Sequence, residues 1–154
     1  MESLPARLLT PQLHPAQPLV LRSAAPARQV RIRNKQYGTY LYEANNQVKY
    51  CSSTDPNTAC YWRMEELGGG HKRFANEVTG NYISIEHQYP CVESIPVRDC
   101  WQSACWTLEP VADGYLIRSV WHNWHILHIE VLDGYVQYGG ALLNQTGAVW
   151  VLDD

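Results

Sequence analysis

Short apolar stretches separated by polar turn residues dominate the chain after residue 28. Val, Ile, Tyr and Leu recur in runs of a few residues, and clusters of Gly, Asn, Asp and Pro interrupt them. Helical periodicity is scarce, whereas brief runs of this composition are typical of β-strands. Asp113-Gly114 and Asp133-Gly134 are dipeptides that favour tight turns. The pattern predicts an all-β chain of many short strands.

The strands belong to an internal repeat. Trp62, Trp106 and Trp150 are separated by 44 residues in both intervals. Around each tryptophan stand a valine 14 positions before it, a small residue two before, an apolar residue two after and a carboxylate three after. In that order the four columns hold Val48, Val92 and Val136; Cys60, Ala104 and Ala148; Met64, Leu108 and Leu152; and Glu65, Glu109 and Asp153. Four matching columns at one period indicate a triplicated unit.

The first half of each unit also matches. Ile32-Arg33-Asn34 precedes Gly38 to Leu41, and the corresponding residues of the other units place Ile83 and Ile126 in the column of Leu41. Each unit therefore contains four strand candidates. Three repeats, over residues 29–68, 71–111 and 114–154, predict twelve strands in units of about 42–44 residues.

These residues and motifs resemble the β-trefoil fold, and within it the ricin-B-like lectins of the compact fungal type. The resemblance covers residues 29–154. It implies six strands that close a barrel, six that cap it, and a shared core to which the three equivalent tryptophans contribute. The Gln-x-Trp element of the ricin-type repeat is absent, since Cys60, Ala104 and Ala148 occupy the glutamine position. Threefold symmetry would spread the carboxylate column around the axis, so we expect those side chains to pair with arginines or anchor turns rather than to catalyse.

The aromatic composition exceeds what such a core requires. The chain has 6 tryptophans and 10 tyrosines but 1 phenylalanine, so most rings carry a polar group that needs a partner when buried. Trp101, Trp121 and Trp124 have no tryptophan counterpart in the other repeats. A ring beside short amide and acid side chains is typical of sugar sites, where the ring stacks on the sugar and the polar groups bind its hydroxyls. Covering the barrel ends is the alternative role for these rings.

The resemblance also implies where sugars would bind, namely between the turn after the second strand and the hairpin after the third strand of a repeat. We expect repeat three to be the first such site, and repeats one and two to offer further candidates. The predicted ligand-binding residues are Trp124, Asp133, Tyr138, Asn144 and Gln145 in repeat three, Trp101 and Gln102 in repeat two, and Asn46 and Tyr50 in repeat one.

Residues 1–28 differ from the rest of the chain. They hold five of the nine prolines and no aromatic residue, which predicts an extended or disordered segment; docking of Leu19-Val20-Leu21 on the domain or on a partner is the alternative. No apolar run is long enough for a signal peptide or a membrane span, so we expect a protein that is cytoplasmic or released without a signal peptide. The net charge of −3 argues against nucleic acid as a partner.

The cysteines and histidines suggest no cofactor. Cys51 and Cys60 are nine residues apart, as are Cys91 and Cys100, so two disulfide bonds are an alternative to the reduced thiols that we expect. No Cys-x-x-Cys pair exists, and strand alternation would separate His125 from His122 and His128, so we predict no metal site. Surface or turn positions are the ordinary interpretation of these histidines, with pH-sensitive binding as an alternative.

These observations favour a non-catalytic carbohydrate-binding module with shallow glycan sites. A protein-binding trefoil such as a protease inhibitor is the second hypothesis, with residues 1–28 or the loops 52–59 and 94–102 contacting the partner. An enzyme built on the same scaffold, with His122, His125 or Glu130 recruited, is the third.

Overall fold

The computed structural model describes residues 27–52, 59–87, 89–140 and 145–154, with only the backbone considered at residues 145 and 146. Residues 1–26, which include Leu19-Val20-Leu21, and residues 53–58 of the loop 52–59 lie outside these ranges. The first strand begins at Arg28, one residue before the predicted start of the domain. No helix among the described residues is long and apolar enough to cross a membrane.

The described residues form twelve antiparallel strands, four in each repeat, as predicted. Repeat one contains β1 (Arg28–Asn34), β2 (Tyr40–Ala44), β3 (Gln47–Cys51) and β4 (Trp62–Glu66). Repeat two contains β5 (Lys72–Asn76), β6 (Tyr82–Ser84), β7 (Glu93–Ile95) and β8 (Trp106–Val111). Repeat three contains β9 (Gly114–Ser119), β10 (Ile126–His128), β11 (Gln137–Gly139) and β12 (Trp150–Asp153). Helical residues in the described ranges occur only as short 3₁₀ turns at Gly68–Gly70, Gln102–Ala104 and Gln145–Ala148.

Six of the strands close a barrel. β1 pairs with β4 and β12, β5 with β4 and β8, and β9 with β8 and β12, so the pairing returns to its starting strand. The other six strands form the hairpins β2–β3, β6–β7 and β10–β11. This arrangement is the β-trefoil, and it confirms the predicted fold.

The tryptophan column holds the three repeats to a common core. Trp62, Trp106 and Trp150 are fully buried. Each indole N–H donates a 3.0 Å hydrogen bond to a main-chain carbonyl of the second strand of its own repeat, at Leu41, Ile83 and Leu127 respectively. The polar atom of each buried ring is thereby satisfied, as burial requires.

These bonds correct one column of the sequence alignment. Leu127, not Ile126, is the counterpart of Leu41 and Ile83. The amide of Ser119 bonds the carbonyl six residues later, whereas the equivalent Asn34 and Asn76 bond the carbonyl five residues later. The β9–β10 turn is therefore one residue longer than its counterparts, which moves Ile126 into a small separate cluster with Leu116 and Ala148.

The carboxylate column pairs with arginines, as expected. Asp153 accepts a 2.8 Å hydrogen bond from Arg33, and this bond is the main reason that the pKa of the Asp153 carboxyl is lowered. Glu109 pairs with Arg118 at 2.7 Å in the same way. Glu65 instead binds Arg63 on its own strand and the Tyr82 hydroxyl, because Ala75 stands where the other repeats have an arginine. The column ties neighbouring barrel strands together.

The three hairpins interlock around the pseudo-threefold axis. The carbonyl of Asn46 accepts the Ser94 amide, that of Pro90 accepts the Tyr138 amide, and that of Gly134 accepts the Tyr50 amide, at 3.0–3.1 Å. Each hairpin loop is thus fixed against the third strand of the following repeat. Surfaces at these contacts belong to two repeats at once.

The structure describes all five cysteines and joins none of them in a disulfide bond. Cys60 and Cys105 are buried, and Cys51, Cys91 and Cys100 are partly exposed.

Candidate functional site

The three surplus tryptophans differ in exposure. Trp124 is 59% exposed, whereas Trp101 and Trp121 are only partly exposed. A large ring that stays exposed contributes little burial free energy to the fold, so packing alone does not account for its position. Trp124 is therefore the tryptophan that the fold requires least.

Trp124 belongs to a continuous set of ring contacts, here called the aromatic surface. Its ring meets that of His125 edge-on at a centroid distance of 5.1 Å. The His125 ring lies 5.3 Å from Tyr138 and 5.8 Å from Tyr89, and Tyr89 meets Tyr138 edge-on at 5.1 Å. His122, which stacks on Trp121 at 4.4 Å, joins the set at 5.5 Å from Trp124. The structure thus brings the predicted residues Trp124 and Tyr138 to one surface.

Two loops present this surface. In the β9–β10 turn the Ser119 hydroxyl accepts the His122 amide, and the His122 carbonyl accepts the His125 amide at 2.8 Å. The one-residue extension of this turn lies between Ser119 and His125, in the segment that contains Trp124. The second loop, from repeat two, carries Tyr89, and its Pro90 carbonyl bonds the Tyr138 amide at 3.1 Å. The surface is consequently shared between repeats two and three.

A pocket of about 240 Å³ opens beside the aromatic surface. Tyr89 and Tyr138 belong to both, so the pocket is two ring contacts from Trp124. Its lining is Tyr89, Pro90, His128, Glu130, Val131, Gln137, Tyr138, Gly139 and Gly140.

Gly139 explains why the pocket is in repeat three. Strand pairing places Gly139 opposite Ile126, as Cys51 lies opposite Tyr40 and Ile95 opposite Tyr82. The other two repeats therefore have a side chain where repeat three has none. A Cβ atom at Gly139 would lie 3.3 Å from Nε2 of His128 and 3.4 Å from the hydroxyl oxygen of Tyr89.

Asp133 and Gln137 form a hydrogen-bonded turn that leads into β11. One Asp133 carboxylate oxygen accepts the Tyr135 amide at 3.0 Å and the Gln137 side-chain amide at 3.2 Å. The Gln137 side chain also donates to the Tyr135 carbonyl and accepts the Glu130 amide. Both residues hold the turn before β11 in place, and Gln137 in addition lines the pocket.

Burial sets the protonation of the groups in the pocket. It raises the pKa of the Tyr138 phenol to about 12, so this hydroxyl stays protonated and can donate a hydrogen bond at neutral pH. Burial lowers the pKa of His128, against the opposing effect of Glu130, whose Oε1 is 4.0 Å from Nδ1 of His128. Burial and the neighbouring His122 lower the pKa of His125. The two imidazoles are therefore favoured in their neutral form.

The predicted residues of repeat one lie elsewhere. The Asn46 side chain donates to the Ser94 carbonyl at 3.3 Å, from a turn in which its φ is +62°. The Tyr50 hydroxyl accepts the Gly134 amide at 3.1 Å. Neither residue lines the pocket, although Tyr50 supports the turn that contains Asp133. A separate glycan site at Asn46 and Tyr50 stays a prediction.

The predicted residues of repeat two occupy the loop before β8. The buried Arg73 donates through one guanidinium nitrogen to the carbonyls of Arg98, Asp99 and Trp101 at 2.7–3.1 Å. Gln102 begins the 3₁₀ turn that follows. Neither Trp101 nor Gln102 lines the pocket, and their role in binding likewise stays a prediction.

Two further predicted residues, Asn144 and Gln145, belong to the hairpin of repeat three. Asn144 lies outside the described residues, and the Gln145 side chain is not described. Their predicted contribution to the repeat-three site is untested.

Several residues of the pocket were not predicted to bind ligand, namely His128, Glu130, Gln137 and Gly139. Gly139 is a glycine at a strand position where repeats one and two have Cys51 and Ile95. These three residues can be recognised as equivalent only when the strand pairing is known. In the described ranges, no group of three or more His, Cys, Asp or Glu side chains is arranged to hold a metal ion.

Comparison with solved structures places the chain among β-trefoil proteins. The GlcNAcα1-4Gal releasing endo-β-galactosidase from Clostridium perfringens matches 81% of the chain with a TM-score of 0.74 and 30% identity, and the chain spans only 32% of that protein. The Rhizoctonia solani agglutinin matches 86% of the chain, which covers 98% of it, with a TM-score of 0.69 and 17% identity. The Polyporus squamosus lectin matches 84% of the chain, which covers 50% of it, with a TM-score of 0.71 and 15% identity.

The predicted resemblance is thereby confirmed: the chain has the β-trefoil fold, and its structural neighbours include ricin-B-like fungal lectins. No protein-family model matches the chain, and neither does any curated protein. Since a fold hosts many functions, the binding properties of this chain have to be argued from its own site.

Proposed function

We propose that the protein is a carbohydrate-binding module whose principal glycan site is the aromatic surface and pocket of repeat three. The observation that carries this proposal is the pair of exposed rings next to a polar-edged pocket. Trp124 and Tyr89 are 59% and 64% exposed, and both contact His125. Exposed rings joined to a concave site are typical of ligand recognition rather than of packing.

The chemistry of the site suits a sugar. The Trp124 and Tyr89 faces can cover the C–H face of a pyranose ring, which is the apolar part of the molecule. The hydroxyls of Tyr89 and Tyr138, the His128 imidazole and the Glu130 carboxylate offer donors and acceptors to its hydroxyl groups. The lectin neighbours agree with this assignment, although their identities of 15–17% bear on the fold alone.

The test is binding to a glycan array, followed by calorimetric titration of the best ligand with Trp124→Ala. We expect the variant to bind roughly fivefold to thirtyfold more weakly, because a stacked ring contributes on the order of 1–2 kcal/mol. Tyr37→Ala is the matched control, since Tyr37 is a partly exposed ring in the corresponding turn of repeat one. Absence of binding to every glycan, or equal affinity of the two variants, would contradict the proposal.

One observation favours a second candidate, a protein-binding trefoil. Arg73 fixes three carbonyls of the loop that ends at Gln102, and a loop held in one conformation loses little entropy on binding a protease. Inhibition assays against serine and cysteine proteases test this alternative. Inhibition that is lost in Arg73→Ala and retained in Trp124→Ala would favour it over glycan binding.

A further inference from the structure

We infer that Glu130 makes the repeat-three pocket selective against acidic sugars, so that the site accepts neutral glycans and rejects those that carry a carboxylate. This inference rests on the proposed glycan-binding function. It concerns the charge that the pocket presents to a ligand and names the residue that determines the selectivity.

Glu130 is the acidic group of the pocket. Its side chain is 58% exposed while it lines the cavity, so the carboxylate is accessible to a ligand. Its partner in the strand alignment, Glu86 of repeat two, is buried and accepts a 2.6 Å hydrogen bond from the Ser103 hydroxyl. Of these two equivalent carboxylates, the one in repeat two is buried and the one in repeat three, at the pocket, faces solvent.

No positive charge balances Glu130 at the cavity. The lining contains neither lysine nor arginine among the residues that the structure describes. The adjoining segment 141–146, Ala-Leu-Leu-Asn-Gln-Thr, has no charged residue in its sequence. Lys49 lies over the Tyr135 ring at 4.6 Å, on the turn outside the lining. A carboxylate ligand would therefore meet a like charge without a cation to bind.

The neighbouring imidazole does not supply the missing charge at neutral pH. Burial lowers the pKa of His128, and its Nδ1 has no hydrogen-bond partner among the described residues. With Nδ1 buried, Nε2 beside Gly139 is the nitrogen of this neutral imidazole that can bond a ligand hydroxyl group. Tyr89 and Tyr138 also offer neutral hydroxyls. The set is matched to a ligand rich in hydroxyl groups rather than to an anion.

The experiment compares sugars that differ only in charge. Disaccharides of galactose and of galacturonic acid, and disaccharides of glucose and of glucuronic acid, are presented on a multivalent array and titrated with the full chain at neutral pH. We expect the acidic member of the recognised pair to bind roughly threefold to tenfold more weakly, as for a like-charge contact at a partly solvated site. The ratio should shrink as salt is raised, because ions screen the repulsion.

Glu130→Gln identifies the residue responsible. The variant keeps the size and polarity of the side chain but removes its charge, so we expect the ratio of the acidic-sugar affinity to the neutral-sugar affinity to rise toward one. Asp113→Asn is the matched control, since it removes an exposed carboxylate from the β8–β9 turn and should leave the ratio unchanged.

The outcomes separate the two claims. Absence of binding to every glycan on the array, these pairs included, would overturn the glycan-binding function itself. Binding of the acidic sugar equal to or tighter than its neutral partner, or an unchanged ratio in Glu130→Gln, would overturn the charge selectivity and leave the glycan-binding function standing.

Discussion

At the scale of single residues, the buried tryptophans and the exposed one perform different tasks. Trp62, Trp106 and Trp150 each satisfy a main-chain carbonyl inside the core. Trp124 makes ring contacts with His122 and His125 and is 59% exposed. The same residue type therefore stabilises the fold at three positions and is available to a ligand at another.

Replacing a core indole should expose this difference. Trp62→Phe leaves the Leu41 carbonyl buried without its donor, which we expect to lower the free energy of unfolding by roughly 1–3 kcal/mol before any loss of packing. Trp124→Phe is the control and should change it by less than about 0.5 kcal/mol, as an exposed substitution does. Urea unfolding followed by circular dichroism measures both. Equal effects would mean that the indole bond does not contribute as described.

Gly139 is the second residue with a specific role. Gly139→Ala would place a methyl group 3.3–3.4 Å from the ends of the His128 and Tyr89 side chains, and Gly139→Ile would restore the residue of repeat two. Because Gly139 has no positive φ, we expect the backbone to accept both, while glycan affinity falls progressively from Gly to Ala to Ile as the pocket fills. Titration with the bound glycan, with thermal unfolding in parallel, tests the series. Full affinity in Gly139→Ile would show that the ligand does not enter the pocket.

At the scale of elements, β10 and the turn before it carry the imidazoles that respond to pH. The pKa values of His125 and His128 are lower in the folded chain than in the unfolded chain, where a histidine has a pKa of about 6.5. At a pH between the folded and the unfolded pKa, the unfolded chain therefore binds more protons than the folded chain. Stability contributed by the neutral histidines is therefore fully present above about pH 6.5 and declines as the pH falls.

Substitution of His128 isolates its contribution to the pH dependence of the unfolding free energy. His128→Gln removes one titrating group, so the loss of unfolding free energy between about pH 7 and pH 5 should be smaller in the variant than in the native chain. His71→Gln is the control, because His71 is a histidine outside the aromatic surface and the pocket. If the free energy of unfolding depended on pH in the same way in the native chain and in His128→Gln, the lowered pKa of His128 would be contradicted.

The elements also show how far the sequence could anticipate the structure. The 44-residue period predicted twelve strands and the three core tryptophans, because each repeat must present the same side chains to a shared core. It misplaced Ile126, since Ile126 and Leu127 are both apolar and the pattern does not show that the turn before them is one residue longer. It placed Trp124 and Tyr138 among the site residues but not Gly139, whose importance depends on which residue faces it across the strand pair.

At the scale of the whole molecule, closure of the barrel joins the two ends of the domain. β1 pairs with β12 from Arg31 to Asn34, and Arg33 bonds Asp153 across that pair. The repeats are interlocked by their hairpins as well, so we expect a single cooperative unfolding transition rather than three.

Removing the last strand tests this cooperativity. Deletion of residues 150–154 takes away Trp150 and removes one barrel partner from each of β1 and β9, which opens the barrel, so we expect the entire domain to lose its fixed tertiary structure. Deletion of Asp154 alone removes an exposed ion pair with Arg28 and an exposed 3.1 Å hydrogen bond from Arg31, and it should have little effect. Dispersion of amide signals in a proton–nitrogen NMR spectrum distinguishes the outcomes. Native signals from repeats one and two in the longer deletion would contradict the interlocked architecture.

The central claim is that glycans bind at repeat three, and the indole signals of the six tryptophans offer the most direct test. In a proton–nitrogen NMR titration with a glycan selected on the array, we predict that the Trp124 indole signal shifts together with the amides of Gln137, Gly139 and Gly140, while the indoles of Trp62, Trp106 and Trp150 stay unchanged because they are buried and bonded in the core. Shifts confined to Trp101 and the loop before β8, or to repeat one, would contradict the claim.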